Sequence, residues 1–181
     1  MLTVYDKLPE FTVVGVKPGK TTPDDAFEII TQASFPGKWK VIVFYPKDFT
    51  FVCPTEIVEY DKLNKDFEDR NAVLLTGSTD NEFVKLAWRA AHEGLRATSH
   101  WQFADTQRGD GSLAEALGVF DYIRGAALRA TFIVDPAGVI QHVTVNNLDV
   151  GRSAQETLRI LDACQTGKLC ACNRPVGGET L

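Results

Sequence analysis

Pro46, Thr50 and Cys53 hold the spacing in this chain best suited to chemistry. They stand in the run Tyr45-Pro46-Lys47-Asp48-Phe49-Thr50-Phe51-Val52-Cys53-Pro54-Thr55-Glu56, directly after the apolar stretch Val41-Ile42-Val43-Phe44. A strand ends there, the chain turns at Pro46, and a helix opens around the cysteine. A thiol in the first turn of a helix faces unpaired backbone N–H groups and the positive end of the helix dipole. Both favour the thiolate, which is the nucleophilic form of cysteine. The pattern predicts a cysteine that reacts.

The other thiols are far away. A thioredoxin-type motif would place a second cysteine at position 56, but Glu56 stands there, so no local disulfide can form. The remaining cysteines are Cys164, Cys170 and Cys172, all near the C-terminus. This separation favours oxidation of Cys53 to a sulfenic acid that condenses with a distant thiol. Cys164 falls in phase with Leu158 and Leu161 on a predicted helix and reads as a small core residue. Cys170 and Cys172 lie beyond it, in a stretch rich in Gly and Pro that reads as a mobile tail. Their C-x-C spacing lacks a second ligand pair, so no metal site is expected. His92, His100 and His142 are scattered, without the spacing of a hydrolytic triad or of a metal-binding helix. Gly109-Asp110-Gly111 does not match a phosphate-binding glycine pattern, and no cofactor is expected.

The elements that must position these residues alternate between strand and helix. Lys40 to Tyr45 reads as a buried central strand. Pro54 to Asp69 reads as one helix, with Ile57, Tyr60, Leu63 and Phe67 at helical spacing. Ala72 to Ser78 follows as a strand, Asn81 to His92 and Ser112 to Leu117 as helices. Arg129 to Val134 and Val139 to Val145 flank the turn Asp135-Pro136-Ala137-Gly138 and read as an antiparallel hairpin. Ser153 to Gln165 reads as the last helix, capped by Ser153 with Glu156 three residues on, and stopped by Gly167. Crossovers through helices followed by a hairpin predict an α/β domain, thioredoxin-like, with a mixed central sheet flanked by helices. The expected division is a domain over residues 1–166 and a tail over 167–181.

Composition narrows the function. The chain has 181 residues, 44% of them hydrophobic and 24% charged, with a net charge of −5. That is ordinary for a globular domain and argues against a nucleic-acid partner. No apolar run approaches the roughly 20 residues a membrane span needs. The reading is a cytoplasmic protein, where thiols stay reduced and cysteines are more often catalytic than structural.

The string Pro46-x-x-x-Thr50-x-x-Cys53 resembles the peroxiredoxin signature. Asp48 to Glu56 is similar to the typical two-cysteine branch that contains the alkyl hydroperoxide reductases of the AhpC type. The similarity extends through Pro36 to Trp39, Phe83 to Trp88, Thr131 to Pro136, Gly151-Arg152 and Leu169 to Cys172, and the Cys-Ala-Cys tail resembles the actinobacterial type. The resemblance implies a thiol peroxidase acting on hydrogen peroxide and organic hydroperoxides. Cys53 would be the peroxidatic nucleophile, Thr50 would hold its hydroxyl near the sulfur, and Pro46 would shield the pocket. Arg129 would supply a cation to the thiolate and to charge developing on the peroxide, with Glu56 paired to Arg152 to position that network. Cys170 or Cys172 would resolve the sulfenic acid, since the family's usual resolving Val-Cys-Pro is absent. It further implies thioredoxin or a small AhpD-like adaptor with its own Cys-x-x-C as electron donor, and homodimers that assemble into a ring.

Overall fold

The computed structural model describes all 181 residues. Its centre is β3 (Trp39–Phe44), hydrogen-bonded in parallel to β4 (Ala72–Ser78) and antiparallel to β8 (Arg129–Val134). Outward from β4 come β5 (Trp101–Ala104), β1 (Thr12–Val16) and β2 (Phe27–Thr31), and outward from β8 comes β9 (Ile140–Asn146). The seven-stranded order is β2-β1-β5-β4-β3-β8-β9, a mixed sheet. Phe120–Asp121 (β6) and Ala126–Ala127 (β7) form a separate short pair.

Because successive side chains of a strand point to opposite faces, β3 feeds two cores. Ile42 and Phe44 join Leu75, Phe103 and Phe132 on one face. Val41 and Val43 join Leu74 and Ile133 on the other, under Tyr60, Phe67, Leu158 and Leu161. Those last four come from α1 (Cys53–Lys62), α2 (Asn64–Asp69) and α5 (Ala154–Gln165). Burial on both faces is why β3 is an unbroken apolar run rather than an alternating one. The remaining helices are α3 (Glu82–Ala91), opened by Asn81 accepting from Val84 N, and α4 (Leu113–Ala116), opened by Ser112.

Three expectations need correction. The single helix over 54–69 is two, because the chain leaves helical geometry at Leu63 (φ −100°, ψ 4°). There the buried Asn64 turns its amide to the Ser99 carbonyl and hydroxyl, a tertiary tie that outweighs the helical periodicity. Ser153 accepts from Glu156 N as expected, but the Glu156 carboxylate binds Arg159 instead of reaching back to the Ser153 backbone N–H, as a capping-box pattern would have it. Cys164 is half-buried rather than a core residue, since Leu161 is the last buried position of α5. Beyond it the tail lies back along α5, tied by Asp162 to Arg174 Nη1 at 2.7 Å and to Gly177 N at 2.9 Å. No helix is long and apolar enough to cross a membrane.

Candidate active site

Cys53 begins α1, as its place after the β3 turn requires, and Pro54 is suited to the first helical turn. Cys53 is 1% exposed and packs among Tyr45, Ile57, Trp88 and Leu95. A cavity of about 470 Å³ opens onto it, lined by Pro46, Lys47, Thr50, Arg124, Ala126, Arg129 and Leu148. Pro46, Thr50, Cys53 and Arg129 therefore meet at one opening, although Arg129 is on another strand.

Arg129 is the partner that matters most. Its Nη1 lies 3.4 Å from Cys53 Sγ and 2.8 Å from Glu56 Oε2, and its Nε donates to the Leu148 carbonyl at 2.6 Å. Its head is buried, not solvated as the default for an arginine opening an apolar strand would have it. Glu56 is one helical turn after Cys53, so its carboxylate falls on the same face of α1. Arg152, just before α5, closes the group. Its backbone N and its Nε each donate to Glu56 Oε1 at 2.8 Å, and its Nη2 donates to Oε2 at 2.9 Å. Arg152 Nη1 also donates to the Ala130 carbonyl and Thr131 hydroxyl. Burial pushes the Glu56 carboxyl up, but the bonds and charge of Arg152, with Arg129 behind them, outweigh it and hold the group below the usual carboxylate range. One anion thus fixes two guanidinium groups, one of which faces the sulfur.

The loop between Pro46 and Cys53 is held from beneath. Thr50 Oγ1 donates to the Lys47 carbonyl at 3.0 Å. Phe49 sits at φ +55°, a left-handed conformation costly for an aromatic residue, with its ring 5.7 Å from that of Trp88. Trp88 is buried packing. The sequence did not mark Lys85. Fully buried on α3, it donates to Ser78 Oγ at 2.8 Å, to Tyr45 Oη at 3.3 Å and to both Asp48 carboxylate oxygens at 3.3 Å. Burial pulls this ammonium below the usual lysine range, against the opposing charges of Asp48 and Asp80. It also pushes the Tyr45 phenol well above its ordinary value, with Asp48 adding to the push. Lys85 therefore fastens the reactive loop to α3 and β4. Lys85→Met is expected to lower stability by about 3–5 kcal/mol, because the buried Asp48 carboxylate loses its cation. Peroxide consumption is expected to slow with it, since Asp48 is two residues from Thr50. A denaturant melt and a peroxide assay on one preparation check both effects.

His100 joins Asp61 Oδ1 at 2.7 Å and Thr76 Oγ1 at 2.9 Å. The chain of hydroxyl, imidazole and carboxylate looks hydrolytic, but Thr76 is fully buried in β4 and offers no hydroxyl to a substrate. Burial pulls His100 down from the ordinary histidine range despite Asp61, so the ring is a neutral link in the core.

A mixed sheet of this order, with a buried thiol opening α1 against a guanidinium, defines a thioredoxin-like thiol peroxidase. Residues 4–143 match the AhpC/TSA family. The chain is 46% identical to alkyl hydroperoxide reductase C of Mycolicibacterium smegmatis, over 100% of its own length and 94% of that protein's. It is 36% identical to a thioredoxin peroxidase of Fasciola hepatica, over 90% of its length and 86% of the other's. The solved structure of Mycobacterium tuberculosis AhpC superposes with a TM-score of 0.86 at 44% identity, covering 94% of this chain and 97% of that one. The chain belongs to the AhpC/TSA family, and it is a peroxidase.

Proposed function

We propose that the chain reduces hydrogen peroxide and organic hydroperoxides through Cys53 and passes the oxidation to a tail thiol. The observation that carries this reading is the Arg129 guanidinium 3.4 Å from Cys53 Sγ, anchored through Glu56. The Cys53 thiolate attacks the outer oxygen of ROOH, the O–O bond breaks, and RO⁻ leaves, taking up a proton. Negative charge shifts from sulfur onto oxygen, and Arg129 stands where it stabilises that charge without rearranging. Thr50 and Pro46 shape the approach, and the cavity leaves room for an organic R group. Cys53 is then a sulfenic acid. A resolving thiolate attacks its sulfur, the S–O bond breaks, hydroxide leaves and takes a proton from solvent to become water, and a disulfide remains.

Cys170, or else Cys172, supplies that thiolate. Cys53 and its cation network sit at the N-terminal end of α5 through Arg152, whereas Cys170 is seated against Ala163 and Thr166 at the other end. At 1.5 Å per residue the two are about 15 Å apart along the helix. The tail must therefore leave its seat, or Cys170 must come from a second copy, which favours a homodimer assembling into a ring. The electron donor is a dithiol protein, thioredoxin or an AhpD-like adaptor, working in the reducing cytoplasm. One equivalent of hydrogen peroxide added to the reduced chain is expected to be consumed, with two of the four thiols lost. Cumene hydroperoxide should do the same. Peroxide left intact, or consumed with every thiol still free, would sink the reading.

A further inference from the structure

The last turn of α5 carries Cys164, a thiol the peroxide chemistry leaves unused, and seats Cys170 beside it. Cys164 lies in that turn, half-buried. Gly167, at φ +61°, then reverses the chain, which only a residue without a side chain does freely. Cys170 Sγ comes to rest 3.8 Å from the Ala163 carbonyl oxygen and 3.5 Å from Thr166 Oγ1. The Ala163 carbonyl carbon is bonded to the Cys164 nitrogen, so Cys170 is held against the peptide that carries Cys164. Burial, and behind it charge on Cys170, pushes the Cys164 thiol up. Arg159, one turn earlier, is held above its usual value first by Glu156 and further by charge on Cys172 and Cys170.

We propose that Cys164 and Cys170 are a second redox pair, to which the disulfide first made with Cys53 is handed. This rests on the reading above that Cys170 resolves the Cys53 sulfenic acid. The Cys164 thiolate attacks Cys170 Sγ within the Cys53–Cys170 disulfide. A Cys164–Cys170 bond forms, the Cys53–Cys170 bond breaks, Cys53 departs as a thiolate beside Arg129, and the Cys164 proton goes to solvent. One disulfide exists before and after, so the peroxide already consumed is the only oxidant needed.

Three features favour the transfer. Exchange is faster when the leaving sulfur is stabilised as an anion, and Cys53 leaves next to a guanidinium. The charge on Cys170 that opposes ionisation of Cys164 vanishes once Cys170 is in a disulfide. Cys170 is six positions beyond Cys164, so a tail extended toward Cys53 keeps Cys170 within about 20 Å of Cys164, and the ring closed between them is short. The result is a nucleophile restored before any donor arrives. Cys53 can then take a second peroxide and be resolved by Cys172.

Trypsin separates the sulfurs, because Cys53 falls in Asp48–Lys62, Cys164 in Ile160–Lys168, and both tail cysteines in the peptide beginning at Leu169. Reduced protein is given one equivalent of hydrogen peroxide without donor, alkylated at intervals, and digested. The expected sequence is an early link from the Cys53 peptide to the tail peptide, replaced by a link from Ile160–Lys168 to the tail peptide through Cys170, with Cys53 alkylated again. With excess peroxide the donor-free burst is expected to reach two equivalents per chain, falling to one in Cys164→Ser, where the Cys53–tail link persists. Cys164 fully alkylated while Cys53 stays joined to the tail would overturn the relay and leave the peroxidase reading standing. So would an undiminished burst in Cys164→Ser. Peroxide unconsumed, with all four cysteines alkylated, would overturn both.

Discussion

Cys53→Ser is expected to abolish peroxide turnover while leaving the chain folded. The substitution exchanges one atom at a site that is 1% exposed, among Tyr45, Ile57, Trp88 and Leu95. A hydroxyl fits the space and can accept from Arg129 where the sulfur did, so no polar group is stranded and no cavity of consequence opens. What disappears is the nucleophile. A serine hydroxyl does not ionise near neutral pH without a general base, and no base stands here: Glu56 is committed to Arg129 and Arg152, and the histidines lie elsewhere. Peroxide consumption coupled to an excess of dithiol should fall to the rate of the dithiol alone. Thermal melting followed by circular dichroism should move by no more than a few degrees. Activity surviving in a folded Cys53→Ser chain would mean that the chemistry is elsewhere, or that the protein protects by binding rather than by turnover.

How much of this site could be read from the chain depends on distance along it. Pro46, Thr50 and Cys53 are legible because they share one loop and one helix start, where local rules apply. Glu56 is legible too, since one turn of α1 places it beside the thiol. Arg129 is 76 residues from Cys53, and no periodicity brings the two together; only the resemblance to a known signature suggested it. Lys85 was missed although a signal existed. It occupies the face of α3 that also carries Leu86, Trp88 and Arg89, all buried, and a cation on an apolar face must have found a partner inside. Its partners Tyr45, Asp48 and Ser78 come from two other stretches of chain, which is why the pairing needed coordinates. β2 and β5 escaped for a different reason. They are five and four residues long, and β5 exists through its pairing with β4 and β1, which only the folded sheet supplies. The break at Leu63 belongs to the same class, a local pattern overruled by one buried amide.

Glu56→Gln should produce the second large effect, on stability and activity together. Glu56 is the only carboxylate bonded to the buried Arg129 and Arg152, which otherwise meet backbone carbonyls, the Thr131 hydroxyl and, for Arg129, the Cys53 sulfur. Removing its charge while keeping its shape leaves both buried guanidinium groups without a carboxylate. Breaking a buried ion pair from one side costs about 3–5 kcal/mol, and a chain of this size loses roughly 2–4 °C in Tm per kcal/mol. The midpoint should therefore fall by about 6–20 °C at neutral pH. The pH dependence has a definite sign. Folding holds the Glu56 carboxyl below its ordinary value of 4.5, so its contribution is present above that value and is lost as pH falls through the lower, folded-state value. The gap in Tm between wild type and Glu56→Gln should accordingly be widest near pH 7 and close as the solution becomes more acidic than pH 4. Activity should drop on the order of 100-fold in kcat/KM, the scale expected when a stabilising group shifts by about 1 Å, because Arg129 loses the contact that aims it at the sulfur. An unshifted midpoint at neutral pH, or a gap that grows toward acid, would show that the two arginines are held by their carbonyls and that Glu56 does not organise the site.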